Sequence, residues 1–432
     1  MASFSFGAGN AKKLATIPLY ALGRLLTAIV PRSSDEWVFG CAVGIGDGAL
    51  ALWHEAAADG RPAVWLTGSA REAKDAAARG IPTVPKRSVR GLWRTARARV
   101  VVVTHGFGDV NRYAVSGAFV VQLWHGIPLK RIGLDSPETL RVPAALARTP
   151  LARPVRALLR TMFRSAARRI RLLPAASHLV RGRLESAFAL ADSRVPVTGE
   201  PRVDVLSSGT GADRRSAARS ALSEAVPRLD PSSRIVLYAP TWRDGAADPA
   251  VPSDGEWRRI LEVLTRHGAT MLVRSHPLGA GEYVPPLPTD RIQELGSDVA
   301  PDVTPLLPAL DALVTDFSSL AFDAALVPLP VVFLAPDVTE YSRRRGFYGR
   351  YEDVAGDDWA ADWDDAAAQL DALLGDAAVR ERRVARARAL SERVHAYRDG
   401  RNAERVYRAI LAGLHDHAPG PQGAARPTEG DR

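Results

Sequence analysis

Two Rossmann-like, doubly wound α/β domains facing one cleft, a GT-B-like arrangement, are the fold class this chain predicts. Three observations carry the expectation. Valine-rich runs alternate with helical stretches from residue 36 to about residue 200. The alternation stops in a polar stretch, SSGTGADRRS at 207–216, and then begins again. A chain of 432 residues with 46% hydrophobic and 24% charged content has the size and balance for two ordinary globular domains.

In the first half, residues 37–44 (WVFGCAVG) read as a short buried strand and a helix follows from about Gly48 to Ala58. RPAVWLTG at 61–68 is a second strand, REAKDAAARG a helix, IPTV a third strand, RARVVVVTH a fourth and AFVVQLWHG a fifth. In the second half the strands are RIVLYAPT, TMLVRSHP, DALVTD and PVVFLAP, with a helix around Glu256–His267, another at SSLAFDAALV, and mostly helix from 360 to 414. Runs without polar alternation mean parallel strands covered on both faces. The expected organisation is an amphipathic, membrane-associated segment at 1–35, a first domain at 36–210, a second at 211–414 and a disordered tail at 415–432.

The 57 lysines and arginines exceed the 48 acids by nine. Nine arginines and no acid lie between Arg141 and Arg171, so without them 48 bases face 48 acids. Within 151–171, Val155, Leu158, Leu159, Met162, Phe163, Ala166 and Ile170 recur at helical spacing, while Arg156, Arg160, Arg164 and Arg168 step by four along another face. That pattern fits a helix lying on an anionic membrane surface; an ordinary surface helix with a solvated basic face is the other reading. No recognised nucleic-acid motif accompanies the arginines, so nucleic acid is not the expected partner. Residues 11–30 are apolar but broken by Pro18 and Arg24, which fits a membrane-lying helix better than a spanning one, with a helix packed on the first domain as the other reading. No convincing signal-peptide cleavage site is read there. One cysteine, Cys41, makes no intrachain disulfide and points to a reducing compartment. The expected location is the cytoplasmic face of the plasma membrane, with peripheral attachment.

The chemically unusual residues cluster at strand ends, where ligands of such sheets collect. Trp124-His125-Gly126 ends the fifth strand and Lys130 follows within reach of an anion. A histidine after a buried strand is more often a core residue, but Arg274-Ser275-His276 ends a strand of the second domain in the same way. Two histidines with neighbouring cations on opposite lips of a cleft favour chemistry over coincidence. Asp316-Phe317-Ser318-Ser319 opens a helix, which serves either as a phosphate cradle or as simple serine capping. Thr241-Trp242-Arg243 offers a stacking ring and a cation.

Several tempting motifs fail. Gly44-x-Gly46-x-x-Ala49 fits the dinucleotide pattern, yet the second strand ends without the acid that holds a ribose. There is no P-loop, H-E-x-x-H or G-x-S-x-G sequence. Asp302, Asp311, Asp316 and Asp323 have no cage spacing, so no metal or other cofactor is expected, and a transient Mg²⁺ stays open.

Six segments, in order, resemble the CDP-glycerol glycerophosphotransferase family, which primes and polymerises teichoic acids: VVQLWHGIPLKRIG (120–133), TGEPRVD (198–204), LYAPTWRD (237–244), LVRSHP (272–277), LVTDFSSLAFD (313–323) and RRGFY (344–348). The resemblance implies a CDP-alditol donor, a lipid-linked or polymeric acceptor, an acceptor-side first domain and a donor-binding second domain. It implies catalytic roles for His125 and His276. Substrate contacts are then expected at Gly126, Lys130, Arg202, Thr241, Trp242, Arg274, Ser275, Asp316, Ser318 and Ser319. One departure is that Arg350 stands where family members often carry an acid. A nucleotide-sugar glycosyltransferase of the same fold is the alternative reading, and a non-catalytic scaffold holding anionic polymer a further one.

Overall fold

In the computed structural model, which describes residues 16–142, 144–243, 248–275 and 283–416, the chain forms two parallel sheets. The first carries six strands in the order β3-β2-β1-β4-β5-β6 and the second five in the order β11-β10-β7-β8-β9. Every strand pairing in both sheets is parallel. This is the GT-B-like arrangement expected.

The first sheet comprises β1 (Trp37–Phe39), β2 (Ala63–Thr67), β3 (Thr83–Pro85), β4 (Val100–Val103), β5 (Phe119–Gln122) and β6 (Ile170–Leu172). Its helices, apart from single turns, are α1 (Ile17–Ile29), α2 (Asp47–Ala58), α3 (Ala70–Ala78), α4 (Val89–Arg97), α5 (Ala152–Ala167) and α6 (His178–Phe188). β4 is four valines, all buried, as β-branched residues between two helical layers should be. Helix starts are set by short polar side chains. Ser69, Ser88 and Ser177 each accept a hydrogen bond from the amide three residues on.

The second sheet holds β7 (Arg234–Ala239), β8 (Ala269–Val273), β9 (Ile292–Glu294), β10 (Ala312–Thr315) and β11 (Val331–Phe333). Around it lie α7 (Gly211–Ala225), α8 (Asp254–Arg266), α9 (Leu320–Leu326), α10 (Val338–Arg344), α11 (Trp363–Gly375) and α12 (Ala377–Val394), and α13 (Asn402–Asp416) follows. Ser253 and Glu256 form a reciprocal capping box at the start of α8. The polar stretch at 207–216 is only partly a connection, because Thr210 accepts from the Asp213 amide and starts α7 at Gly211. The tail expected from 415 lies, from 417 on, outside the described residues, and Asp416 still belongs to α13.

Two segments tie the domains together. Residues 198–204 cross between them, and both Asp204 carboxylate oxygens accept from the first amides of α13, Asn402 N at 2.9 Å and Ala403 N at 2.7 Å. So capped, α13 packs back on the first sheet, with Val406, Tyr407 and Ile410 buried among Trp37, Phe39, Val100 and Val102. Its last turns therefore belong with the first core although they follow the second domain in sequence. The other link is an antiparallel bridge between Lys130 and Phe347, flanked by Arg131 N to Gly346 O at 3.0 Å and Tyr348 N to Leu129 O at 2.9 Å.

The expected basic helix ends at Ala167 and its chain continues into β6. Leu159, Phe163 and Ala167 are buried in the first core, so most of the apolar stripe faces the protein and only Leu151 and Leu158 remain exposed beside the arginines. Burial of Ile410 predicts that Ile410→Ala, read by urea unfolding, costs about 2–5 kcal/mol, with the loss showing first in the first-domain tryptophans Trp37 and Trp65.

Candidate active site

β4 and β5 lie side by side and both end in histidine: Thr104-His105-Gly106 and Trp124-His125-Gly126. Backbone strain turns the second of these into the cleft. Trp124 is a non-glycine residue at φ 64° and Gly126 follows at φ 128°, conformations that persist only where the surroundings enforce them. A Cβ on Gly126 would lie 3.1 Å from Ser319 Oγ and 3.6 Å from Arg202 Nη1. The sharp turn thus brings the first domain's His-Gly step against the start of α9 in the second.

The His105 ring stacks on His125 at 4.3 Å with 5° between their planes, and Trp124 closes on His125 at 4.2 Å. His105 is held from below. Asp109 Oδ2 accepts from the amides of Thr104 (3.0 Å), His105 (2.8 Å) and Gly106 (3.3 Å), and Thr104 Oγ1 meets His105 Nδ1 at 2.8 Å. Burial, then the Arg202 charge, pushes the His105 imidazole down to about 4. Burial, then His105, holds His125 well below the ordinary imidazole range. Both rings are therefore neutral at physiological pH, and His125 Nδ1 is buried without a hydrogen-bond partner among the described residues. His105 was not singled out in the sequence, although the signal, a His-Gly step ending a strand, is the same one that marks His125.

Arg202 lies at the centre of the domain junction. Its Nη1 donates to Asp323 Oδ1 at 2.7 Å, its Nη2 to Thr304 Oγ1 at 3.1 Å, and its Nε is 3.5 Å from Asp47 Oδ1. Burial opposes its charge, but Asp323 and Asp47 outweigh that and keep the guanidinium protonated. Beside it Glu200 is fully buried, and burial pushes its carboxyl up to about 8. Asp47 sits at φ 58° and its amide donates to Asp302 Oδ2 at 3.2 Å across the cleft.

Not all expected contacts face the cleft. Asp316 accepts from the Thr241 and Phe317 amides (2.9 and 2.6 Å) and from Arg243 Nη1 (2.7 Å), which fixes the two loops rather than presenting a free carboxylate. Arg243 is itself clamped by Asp337 and lies over the Phe317 and Tyr341 rings. Arg274 donates to the carbonyls of Leu295, Ala300 and Pro301, organising the loop that ends at Asp302. Ser318 Oγ accepts from the Leu320 amide at 3.2 Å in the turn leading into α9, while the N-cap residue Ser319 makes no side-chain capping bond among the described residues. Thr241, whose buried Oγ1 has no hydrogen-bond partner among the described residues, Trp242 and Ser275 are half-buried in the second domain, and Lys130 is half-buried in the first. His276 lies outside the described residues.

Beside Arg202 the cleft widens into a cavity of about 1210 Å³, walled by the Gly44–Asp47 loop, Arg71 and Lys74 on one side and Val299–Asp302 on the other. Cys41, Asp47 and His105 place potential metal-ligand atoms within 4.8 Å of one another. They fit a metal poorly. Burial, then Asp47 and Asp109, pushes the Cys41 thiol up and keeps it protonated, while Arg202 already stands against Asp47.

The family model described as CDP-Glycerol:Poly(glycerophosphate) glycerophosphotransferase matches residues 33–412. The chain belongs to this family. It is 26% identical over 279 residues to a teichoic acid glycerol-phosphate transferase of Staphylococcus aureus, covering 63% of this chain and 66% of that one. It is 27% identical over 290 residues to a teichoic acid poly(glycerol phosphate) polymerase of Bacillus subtilis, covering 64% of this chain and 35% of the relative. The alignments thus span from about a third to two thirds of these relatives' lengths. Among solved structures, the wall teichoic acid polymerase TagF superposes with a TM-score of 0.71 at 18% identity, over 94% of this chain and 97% of that one, which establishes the shared fold.

In this family member the buried Glu200 gives a sign-definite pH dependence. Its carboxyl is raised in the fold, so the folded state binds the extra proton; stability is full below the ordinary carboxylate range and falls as pH rises through about 8. The wild-type Tm is expected to drop between pH 6 and 9, and Glu200→Gln to remove most of that slope. An unchanged slope in the variant would assign the effect elsewhere.

Proposed function

We propose that this protein transfers an alditol phosphate, glycerol phosphate first, from a CDP-alditol to a hydroxyl of a lipid-linked or polymeric acceptor, releasing CMP, in the synthesis of a teichoic-acid-like wall polymer. The observation that carries this is the neutral His125 imidazole, whose Nδ1 has no hydrogen-bond partner among the described residues, next to Gly126, where the first domain meets Ser319 of the second. An acceptor O–H attacks the phosphorus that bears the alditol. The new P–O bond forms as the bond to the CMP oxygen breaks, and His125 takes the hydroxyl proton. Its depressed proton affinity keeps the base free before substrate arrives. The donor's phosphate charges then raise that affinity in the complex.

His105 is a positioning residue here: its ring fixes the plane of His125 and its charge interaction disfavours premature protonation. Thr241, Trp242, Ser275, Ser318 and Ser319 form the donor-side lip, with His276 supporting the pyrophosphate and the departing CMP and Arg274 holding the loop that ends at Asp302. The cavity beside Arg202 gives the acceptor chain room.

The acceptor's lipid gives the surface helices a purpose. No helix among the described residues is long and apolar enough to cross a membrane. On α1, Leu19, Leu22, Leu25 and Ile29 are exposed, beside the exposed arginine face of α5. These two features support peripheral attachment at the cytoplasmic face of the membrane.

The test is nucleotide release from CDP-glycerol and CDP-ribitol with a membrane fraction as acceptor source. CMP should appear with one donor and fall about 10²–10⁴-fold in His125→Ala, with donor affinity by calorimetry retained. Lost donor binding would make His125 a donor contact, and nucleoside diphosphate released from a nucleotide sugar would make the protein a glycosyltransferase.

His105→Phe separates position from charge. An aromatic face still stacks on His125, but the imidazole that lowers its proton affinity is gone. The acid limb of the kcat/KM profile is expected to move to higher pH with little change in donor affinity. A purely structural His105 would lower activity evenly across pH.

A further inference from the structure

α1 and α5 do not merely lie near one another; they frame a groove of about 540 Å³ lined by Arg24, Thr27, Ser116, Ser165, Arg168 and Arg169. Three guanidiniums converge there and no carboxylate lines the groove among the described residues. Nor does any of the three make an ion pair among the described residues, whereas the half-buried Arg94 and Arg181 of the same domain do. Arg169 is half-buried; burial and then the Arg24 charge hold its guanidinium below the ordinary range. Like charges gathered without a counter-charge are the signature of an anion site awaiting its ligand.

The groove is preformed. Gly23 sits so close to the Tyr113 backbone that a Cβ would lie 2.2 Å from its carbonyl oxygen, and the Tyr20 ring meets Tyr113 at 5.0 Å, so α1 is docked tightly. Arg32 holds the floor, donating to the carbonyls of Thr95, Ala98, Ala114 and Ser116 at 2.5–3.0 Å. Ser116, which lines the groove, is thereby held at its backbone.

The surroundings identify the source of the anion. At 100° per residue, Leu22, Leu25 and Ile29 lie on the side of α1 turned away from Gly23, that is, away from the protein, and they are 63%, 59% and 73% exposed. On α5, Leu158 precedes Ser165 by seven residues and shares its face, and it too is exposed. A soluble anion would leave these leucines in water. A bilayer satisfies both at once, with leucines at the acyl boundary and arginines at phosphate depth.

Resting on the membrane-associated reading above, we propose that this groove binds the terminal phosphate headgroup of a membrane lipid, reading the phosphate group itself rather than surface charge in general. Three guanidiniums match the dianion of a phosphomonoester, with bidentate N–H···O pairs and the serine hydroxyls completing its oxygens. A phosphodiester such as the phosphatidylserine linkage offers fewer free oxygens and one charge.

The test uses the full chain and flotation with vesicles of phosphatidylcholine alone, or with phosphatidate or phosphatidylserine added at matched surface charge. Wild type is expected to bind phosphatidate vesicles about tenfold more tightly than phosphatidylserine vesicles. The triple variant Arg24→Gln, Arg168→Gln, Arg169→Gln should lose that ratio while keeping its circular dichroism spectrum. The control triple Arg156→Gln, Arg160→Gln, Arg164→Gln, on the outer face of α5, should weaken both lipids alike and keep the ratio. Equal binding of both lipids by wild type, or a ratio that survives in the groove variant, overturns the proposal and leaves membrane attachment standing. Binding to no anionic vesicle overturns the attachment as well. Equal binding of the two lipids, together with saturable inorganic-phosphate binding by calorimetry that the groove variant loses, would assign the groove to a free anion instead.

Discussion

Arg202 is a full positive charge buried between two domains, and the geometry of the cleft depends on it. Its partners come from both sides: Asp323 and Thr304 from the second domain, Asp47 from the first. Removing one partner of such a buried set typically costs about 3–5 kcal/mol, because the remaining charge is left uncompensated. The three acids around one arginine are not all ionised. Burial pushes Glu200 up to about 8, so at neutral pH its carboxyl keeps its proton beside Arg202. The segment that supplies Arg202 also supplies Asp204, which starts α13 and sends it back over the first sheet. One seven-residue stretch thereby sets the domain contact, the charge balance behind the site and the route of the last helix.

From that junction the strain at the strand ends becomes intelligible. Among the described residues, Asp47, Trp124 and Ala189 are the non-glycine residues at positive φ, and the first two border the cleft. Such conformations cost of order 1 kcal/mol or more each and need enforcement. At Trp124 the enforcement is aromatic packing, on Phe188 at 5.1 Å and on His125 at 4.2 Å. At Asp47 it is the pull of Arg202 and of Asp302. The side chains pre-set by this strain are those that a donor and acceptor must meet.

The sheets and their boundaries were legible in the sequence because valine-rich, fully buried strands leave an unbroken apolar signal. β6 and β9 were not, since three-residue strands beside a basic helix or within a polar stretch carry too few apolar positions. His125 was legible from its place at a strand end; His105 obeyed the same rule and was passed over because no neighbouring cation marked it. Arg202, Arg274 and Asp316 show a different limit. A charged residue in a matching motif looks alike whether it faces substrate or holds a loop, and only its partners decide. The apolar stripe of α5 failed for a related reason, as periodicity reveals that a face is apolar but not what covers it.

The division of labour follows from which parts share a rigid body. The first domain carries α1 and α5 on its surface and His125 at its sheet edge, joined through one core that includes Leu159, Phe163, Trp124 and Phe188. A membrane lipid held at the groove would therefore fix, through this packing, the height of His125 above the bilayer from which a lipid-linked acceptor arrives. The donor-side loops belong to the other sheet and meet the first domain across Arg202, the Lys130–Phe347 bridge and an apolar cluster in which Phe317, Phe322, Phe347 and Tyr351 continue the core around Trp124. In phosphoryl transfer, where alignment and charge placement supply most of the rate, a core shared across both sheets is what would hold the proposed base and the donor lip in register.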